Sequence, residues 1–146
     1  FFIHIITLLF ILTKVLFFVK LIYICYTFII ERMVDMPYIK TSTNIKIDDE
    51  KLISIKSKMG EAIRLMGKTE DWLMLEFDDN MKMFFKGNSD SGIAFLDVKV
   101  LGSVNNSNEM TKELTNIIST ELEISPSNIY ISYQGYSDWG YNGHNF

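Results

Sequence analysis

Apolar positions along residues 37–146 repeat with two periods, and the switching between them outlines the fold. From Tyr38 to Ile45 polar and apolar residues alternate, with Ile39, Thr41, Thr43 and Ile45 on one face, which predicts a half-buried strand. Asp48 stands at an N-cap position, and Asp49 and Glu50 follow in the first turn, near the positive end of a helix. Leu52, Ile55, Met59, Ala62, Ile63 and Met66 then recur at spacings of three and four, so an amphipathic helix ending at Gly67 is expected. Trp72 to Phe77 predicts a strand with Leu73, Leu75 and Phe77 on one face. Met81 to Phe85 predicts a second short strand before the Lys86-Gly87-Asn88-Ser89 turn. Ile93 to Leu101 reads as a long strand with Ala94, Leu96, Val98 and Val100 together, closed by Gly102. Asn106 to Asn108 offer caps for a second helix carrying Met110, Leu114, Ile117, Ile118 and Leu122. Pro126 stops that helix, and Ile129 to Tyr133 is the last full strand.

The order is thus strand, helix, strand, given twice. It predicts an α+β fold with a pseudo-twofold β-α-β repeat, two helices packed on one face of a four-stranded sheet. The second sheet face has no cover within one chain, so self-association that buries it is expected.

Composition divides the 146 residues in two: residues 1–30 hold 24 apolar residues, residues 31–146 only 46. The first stretch is long enough to span a bilayer. Lys14 and Lys20 interrupt it, however, each costing about 2.5–3.5 kcal/mol at the membrane centre. It contains no Ala or Gly and so lacks a usual signal-cleavage site. Phe, Ile, Lys, Tyr and Met make up 19 of the first 35 residues, the products of AT-rich codons. The expectation is a leader over 1–36 that is upstream sequence read in frame or a segment removed before function, with a real membrane or targeting segment as the alternative. The folded domain is expected over 37–146.

The remaining chemistry is sparse. Cys25 is the one cysteine and His4 and His144 the two histidines, which excludes a disulfide framework or a CxxC motif and argues against a histidine metal site or a Ser-His-Asp triad. The net charge of -4 argues against a nucleic-acid binder. Glu70, Asp71, Glu76, Asp78 and Asp79 are scattered without a calcium-loop pattern and read as solvated surface, so no metal site is expected. Met36-Pro37 opening a strand is the informative pair. With Met36 removed, Pro37 is a terminal secondary amine, and burial beside a cation would lower its pKa and make it a general base. Otherwise Pro37 simply fixes the entry to a strand.

Met36-Pro37, Met66-Gly67-Lys68, Val100-Leu101-Gly102 and the run Ile124-Ser125-Pro126-Ser127-Asn128-Ile129-Tyr130-Ile131-Ser132-Tyr133 together resemble the macrophage migration inhibitory factor family of the tautomerase superfamily. The resemblance implies a homotrimer, its sheets forming a barrel around a channel, that interconverts keto and enol forms of aromatic 2-oxo acids or dopachrome-like compounds without a cofactor. It further implies a protein found in the cytoplasm or secreted without a cleavable signal peptide, with a cell-surface receptor as a partner and a signalling role beside catalysis. By the same resemblance Pro37 is the base and Lys68 the group that holds the substrate and depresses the amine pKa, while Leu101 contacts substrate through its backbone. Tyr130 and Ser132 would complete a neighbouring subunit's pocket. The family commonly has Asn where Ser132 stands, and the hydroxyl reaches less far. Tyr38, Trp139, Tyr141 and Phe146 are candidates for an aromatic rim or for tail packing between subunits.

Overall fold

The computed structural model describes residues 12–25 and 36–145, in a chain that divides into two units, 1–34 and 35–146. In the first, residues 12–25 form a helix with exposed side chains, including a free Cys25 thiol. No helix among the described residues is long and apolar enough to cross a membrane.

The second unit is built on one sheet of order β2-β1-β3-β4. β1 (Pro37–Thr43) runs parallel to β2 (Met74–Asp78), and β3 (Ala94–Leu101) runs parallel to β4 (Ile129–Tyr136). The two pairs meet through antiparallel β1 and β3, with Pro37 opposite Val100 and Thr43 opposite Ala94. A parallel pair needs a crossover, and the helices α1 (Asp49–Ala62) and α2 (Ser107–Leu122) supply it, giving the expected doubled β-α-β unit. A short hairpin, β5 (Gly140–Tyr141) and β6 (His144–Asn145), follows.

The core lies between the helices and one sheet face. Ile39, Leu96, Val98 and Val100 from the strands meet Ile55, Met59, Met110, Leu114 and Ile118 from the helices, all fully buried. Asp48 caps α1, accepting the Lys51 N–H at 2.9 Å. After Ala62 the chain tightens into a 3-10 turn, Ile63–Met66, and reverses at Gly67, whose φ of 72° is one that a side chain resists.

Four local expectations need correcting. β1 stops two residues early because the Thr43 hydroxyl takes the Ile45 N–H at 3.1 Å. Trp72 lies in a 3-10 turn, Glu70–Trp72, in which the Glu70 carbonyl accepts the Leu73 N–H, so β2 starts only at Met74. Met81 to Phe85 is not a strand. The Asn80 and Met81 N–H groups are tied to the Ile45 and Thr43 carbonyls, and Phe85 closes on Asn88 around left-handed Lys86 and Gly87. Asn106 holds the N-cap position of α2, but its side chain donates to the Leu65 carbonyl at 2.8 Å and makes no cap bond.

Thr41 faces the core with its hydroxyl unpartnered among the described residues, whereas the Thr43 hydroxyl donates to Ile93 O at 2.8 Å. Thr41→Val keeps the shape and removes an unsatisfied buried oxygen. It should stabilise the domain by about 1 kcal/mol, read as a higher urea midpoint at unchanged m-value. A lower midpoint would mean that the hydroxyl is satisfied in solution.

Candidate active site

Pro37, Val100 and Gly135 lie on one rung across β1, β3 and β4. Pro37 is buried. Beyond the rung β3 turns back at Gly102 (φ 83°), whose N–H donates to the Tyr136 carbonyl at 2.9 Å. That turn passes so close to β4 that a Cβ on Gly135 would lie 2.3 Å from the Gly102 carbonyl oxygen.

Lys68 reaches the same end of the sheet from the helix side. The reversal at Gly67 sends its side chain inward, where it is buried and Nζ donates to the Leu101 carbonyl at 3.4 Å. Leu101 adjoins Val100, so the ammonium is delivered one residue from the strand partner of Pro37. Pro37, Lys68 and Leu101, three residues far apart in sequence, are therefore brought together.

A cavity of about 700 Å³ opens against Pro37. Tyr38, Trp72, Trp139 and Tyr141 supply aromatic wall, and Asp71 lies on it too. Trp72 meets Tyr141 edge to face at 5.3 Å, and Tyr136 meets Trp139 at 5.8 Å. Tyr141 can reach Trp72 because the tail folds back on the Asn142-Gly143 turn, both residues left-handed as a tight hairpin requires. Such a wall suits a flat, ring-bearing ligand. A smaller groove between α1 and α2, lined by Lys58, Glu61 and Glu113 among others, contains none of the expected site residues.

On the sheet face away from the helices, Tyr38 is fixed from two sides. Its hydroxyl donates to Glu76, and the Lys99 ammonium stands 5.5 Å from its ring centroid. The bond to Glu76 raises the phenol pKa above its usual value. Lys40 bridges Glu76 and Asp78, each at 2.7 Å, and these bonds hold its own pKa up. Hydrogen bonds from Lys40 and then Tyr38 hold the Glu76 carboxyl below the usual range. Burial opposes ionisation of Asp97, yet bonds from Lys99 and Ser132 still leave its pKa lowered.

Not every expected residue gathers at the cavity. Tyr130 is exposed near the opposite end of the sheet, paired with Phe95 and edge-on to Phe85 at 5.0 Å. The Ser132 hydroxyl donates to Asp97 at 2.8 Å. Within one chain neither joins Pro37. Phe146 lies outside the described residues. Trp72 and Asp71 are among the wall residues that the sequence does not mark as site candidates: its pattern puts Trp72 in a strand and Asp71 on solvated surface. The other acids are engaged structurally, Glu70 with Lys56 at 3.2 Å and Asp79 with the Ile47 N–H at 2.8 Å. Among the described residues, no three His, Cys, Asp or Glu side chains come together as a metal site.

Lys68 and Leu101 are not among the residues that line the cavity. A doubled β-α-β sheet with a proline leading its first strand at an aromatic-walled cavity, and a buried lysine bonded at the end of the neighbouring strand, is the fold of the tautomerase superfamily. The family model of macrophage migration inhibitory factor matches residues 36–146, and the chain belongs to that family. Among solved structures it is similar to MIF2 of Leishmania major, 30% identical over 77% of this chain and 98% of that one, with a TM-score of 0.71. The homologue from Prochlorococcus marinus is 22% identical over 75% and 98%, with a TM-score of 0.67. The Toxoplasma gondii factor is 17% identical over 75% and 99%, with a TM-score of 0.70. A comparison with curated protein sequences gives no match.

Proposed function

We propose that residues 37–146 form a cofactor-independent tautomerase of aryl 2-oxo acids such as phenylpyruvate, with Pro37 as general base once it is the amino terminus. The observation that carries this reading is the burial of Pro37 at an aromatic-walled cavity, with the Lys68 ammonium bonded to Leu101 beside it. The Pro37 nitrogen removes a proton from the carbon next to the keto group, leaving an enolate, and the protonated amine then returns that proton to the enolate oxygen, giving the enol and restoring the free base. Lys68 stabilises the negative charge and disfavours protonation of the amine. Nothing in this sequence of steps needs a redox partner.

Assembly as a homotrimer is part of the same reading. Met74, Phe95 and Tyr130 are exposed on the uncovered sheet face, where a second copy would bury them and bring Tyr130 and Ser132 to a neighbour's cavity.

The amide test is direct. A chain beginning at Pro37 should enolise phenylpyruvate, followed by ultraviolet absorbance of the borate-trapped enol. The same chain retaining Met36 should be at least about 100-fold slower, because an amide nitrogen cannot serve as the base. Equal rates would remove Pro37 from the mechanism.

A further inference from the structure

Asp71 is the one charged residue among those lining the Pro37 cavity; the others are apolar or aromatic, with the Tyr38 and Tyr141 phenols as the neutral polar groups. It is exposed, and no cation pairs with it among the described residues: nearby Lys56 is taken by Glu70 at 3.2 Å. Its position is set by the backbone. Asp71 sits in the middle of the Glu70–Trp72 turn, and that turn is seated on α1 where Gly60 leaves room for the Glu70 side chain. A Cβ at Gly60 would come within 2.5 Å of the Glu70 carboxyl carbon. The next residue, Trp72, is fixed by its contact with Tyr141. Three residues before Asp71, Lys68 is buried and directed to Leu101. The segment 68–72 therefore carries at one end a buried cation bonded to Leu101, and at the other an anion on the exposed wall of the cavity. On the tautomerase reading, a ring lying along Trp72 and Tyr141 with its 2-oxo acid end at Pro37 would leave its far edge to the wall that Asp71 shares.

We propose that Asp71 is a specificity-determining residue. It favours aryl 2-oxo acids with a cationic or hydrogen-bond-donating group at the far end of the ring, and it disfavours those with an anionic group there. This rests on the tautomerase reading and adds a substrate class to it. Attraction and repulsion across a wet rim are modest, about threefold for each charged substrate and so about tenfold in their ratio. The preference weakens as salt is added.

The test compares kcat/KM of the chain beginning at Pro37 for phenylpyruvate, 4-(aminomethyl)phenylpyruvate and 4-carboxyphenylpyruvate, in the parent and in Asp71→Asn and Asp71→Glu. The expected result is a cation-to-anion ratio that falls about tenfold in Asp71→Asn and is retained in Asp71→Glu. Normal phenylpyruvate turnover with an unchanged ratio in Asp71→Asn overturns the role of Asp71 and leaves the tautomerase reading standing. A parent that turns over none of the three overturns both.

Discussion

Pro37→Gly, in a chain that begins at this residue, should lose about 100-fold in kcat/KM for phenylpyruvate while its circular dichroism and melting curve stay close to those of the parent. Glycine keeps an amine at the terminus, so the loss is not total. What goes is the ring, which makes the amine secondary and ties its nitrogen to the side chain at the cavity wall. Pro37 is also the first rung of β1, opposite Val100, and its contribution to the core is small beside Ile39 and Val98. Acetylating the terminal nitrogen of the parent should abolish its activity, because the lone pair then belongs to an amide. A Pro37→Gly variant within about threefold of the parent would show that another group moves the proton.

Gly135→Ala should cost about 1–3 kcal/mol and lower Tm by roughly 5–15 °C. The added methyl would lie 2.3 Å from the Gly102 carbonyl oxygen, and backbone on both sides must separate to admit it. The strand end that moves carries Leu101, whose carbonyl receives the Lys68 ammonium, and Tyr136, which packs on Trp139. Stability and kcat/KM should therefore fall together, and a variant that melts with the parent would mean that the turn at Gly102 yields freely. Gly67, which also carries a positive φ but has open space around it, makes the comparison: there an added Cβ meets only backbone strain.

The frame was legible because burial imposes a period. Ile39, Thr41 and Thr43 alternate inward as expected, and Ile55, Met59, Ala62, Ile63 and Met66 line the buried side of α1 and its 3-10 extension. Asp48 could be assigned as a cap because its bond is to a residue three positions on. Asn106 misled for the complementary reason. Its partner is the Leu65 carbonyl, forty-one positions away, and such a choice is made by packing and leaves no local trace. Met81 to Phe85 has the composition of a strand, yet its neighbours' N–H groups are already spent on the end of β1.

The site divides along the same line. Pro37, Lys68 and Leu101 stand in short motifs at strand and helix ends; the sheet pairs Pro37 with Val100, next to Leu101, and the Lys68 side chain reaches the Leu101 carbonyl. Trp72 and Asp71 belong to a single turn whose place depends on Glu70 settling over Gly60, a contact between α1 and a loop that periodicity does not encode. Tyr38 was named for its ring alone. Its anchoring by Glu76 and Lys99 arises from strands adjacent in the sheet but far apart along the chain.

The near-symmetry of β1-α1-β2 and β3-α2-β4 carries an asymmetry of consequence for descent. Copying a half-domain can reproduce strands, helix and crossover, but it cannot reproduce a free chain end. The counterpart of Pro37 at the start of β3 is Ala94, locked between two peptide bonds. If chemistry resides in a terminal amine, the duplicate half inherits the architecture without the reagent and is released to evolve as scaffold. Engineering a second base there would require cutting the polypeptide before β3 and holding the two pieces together through the β1–β3 pairing and the core that α1 and α2 share.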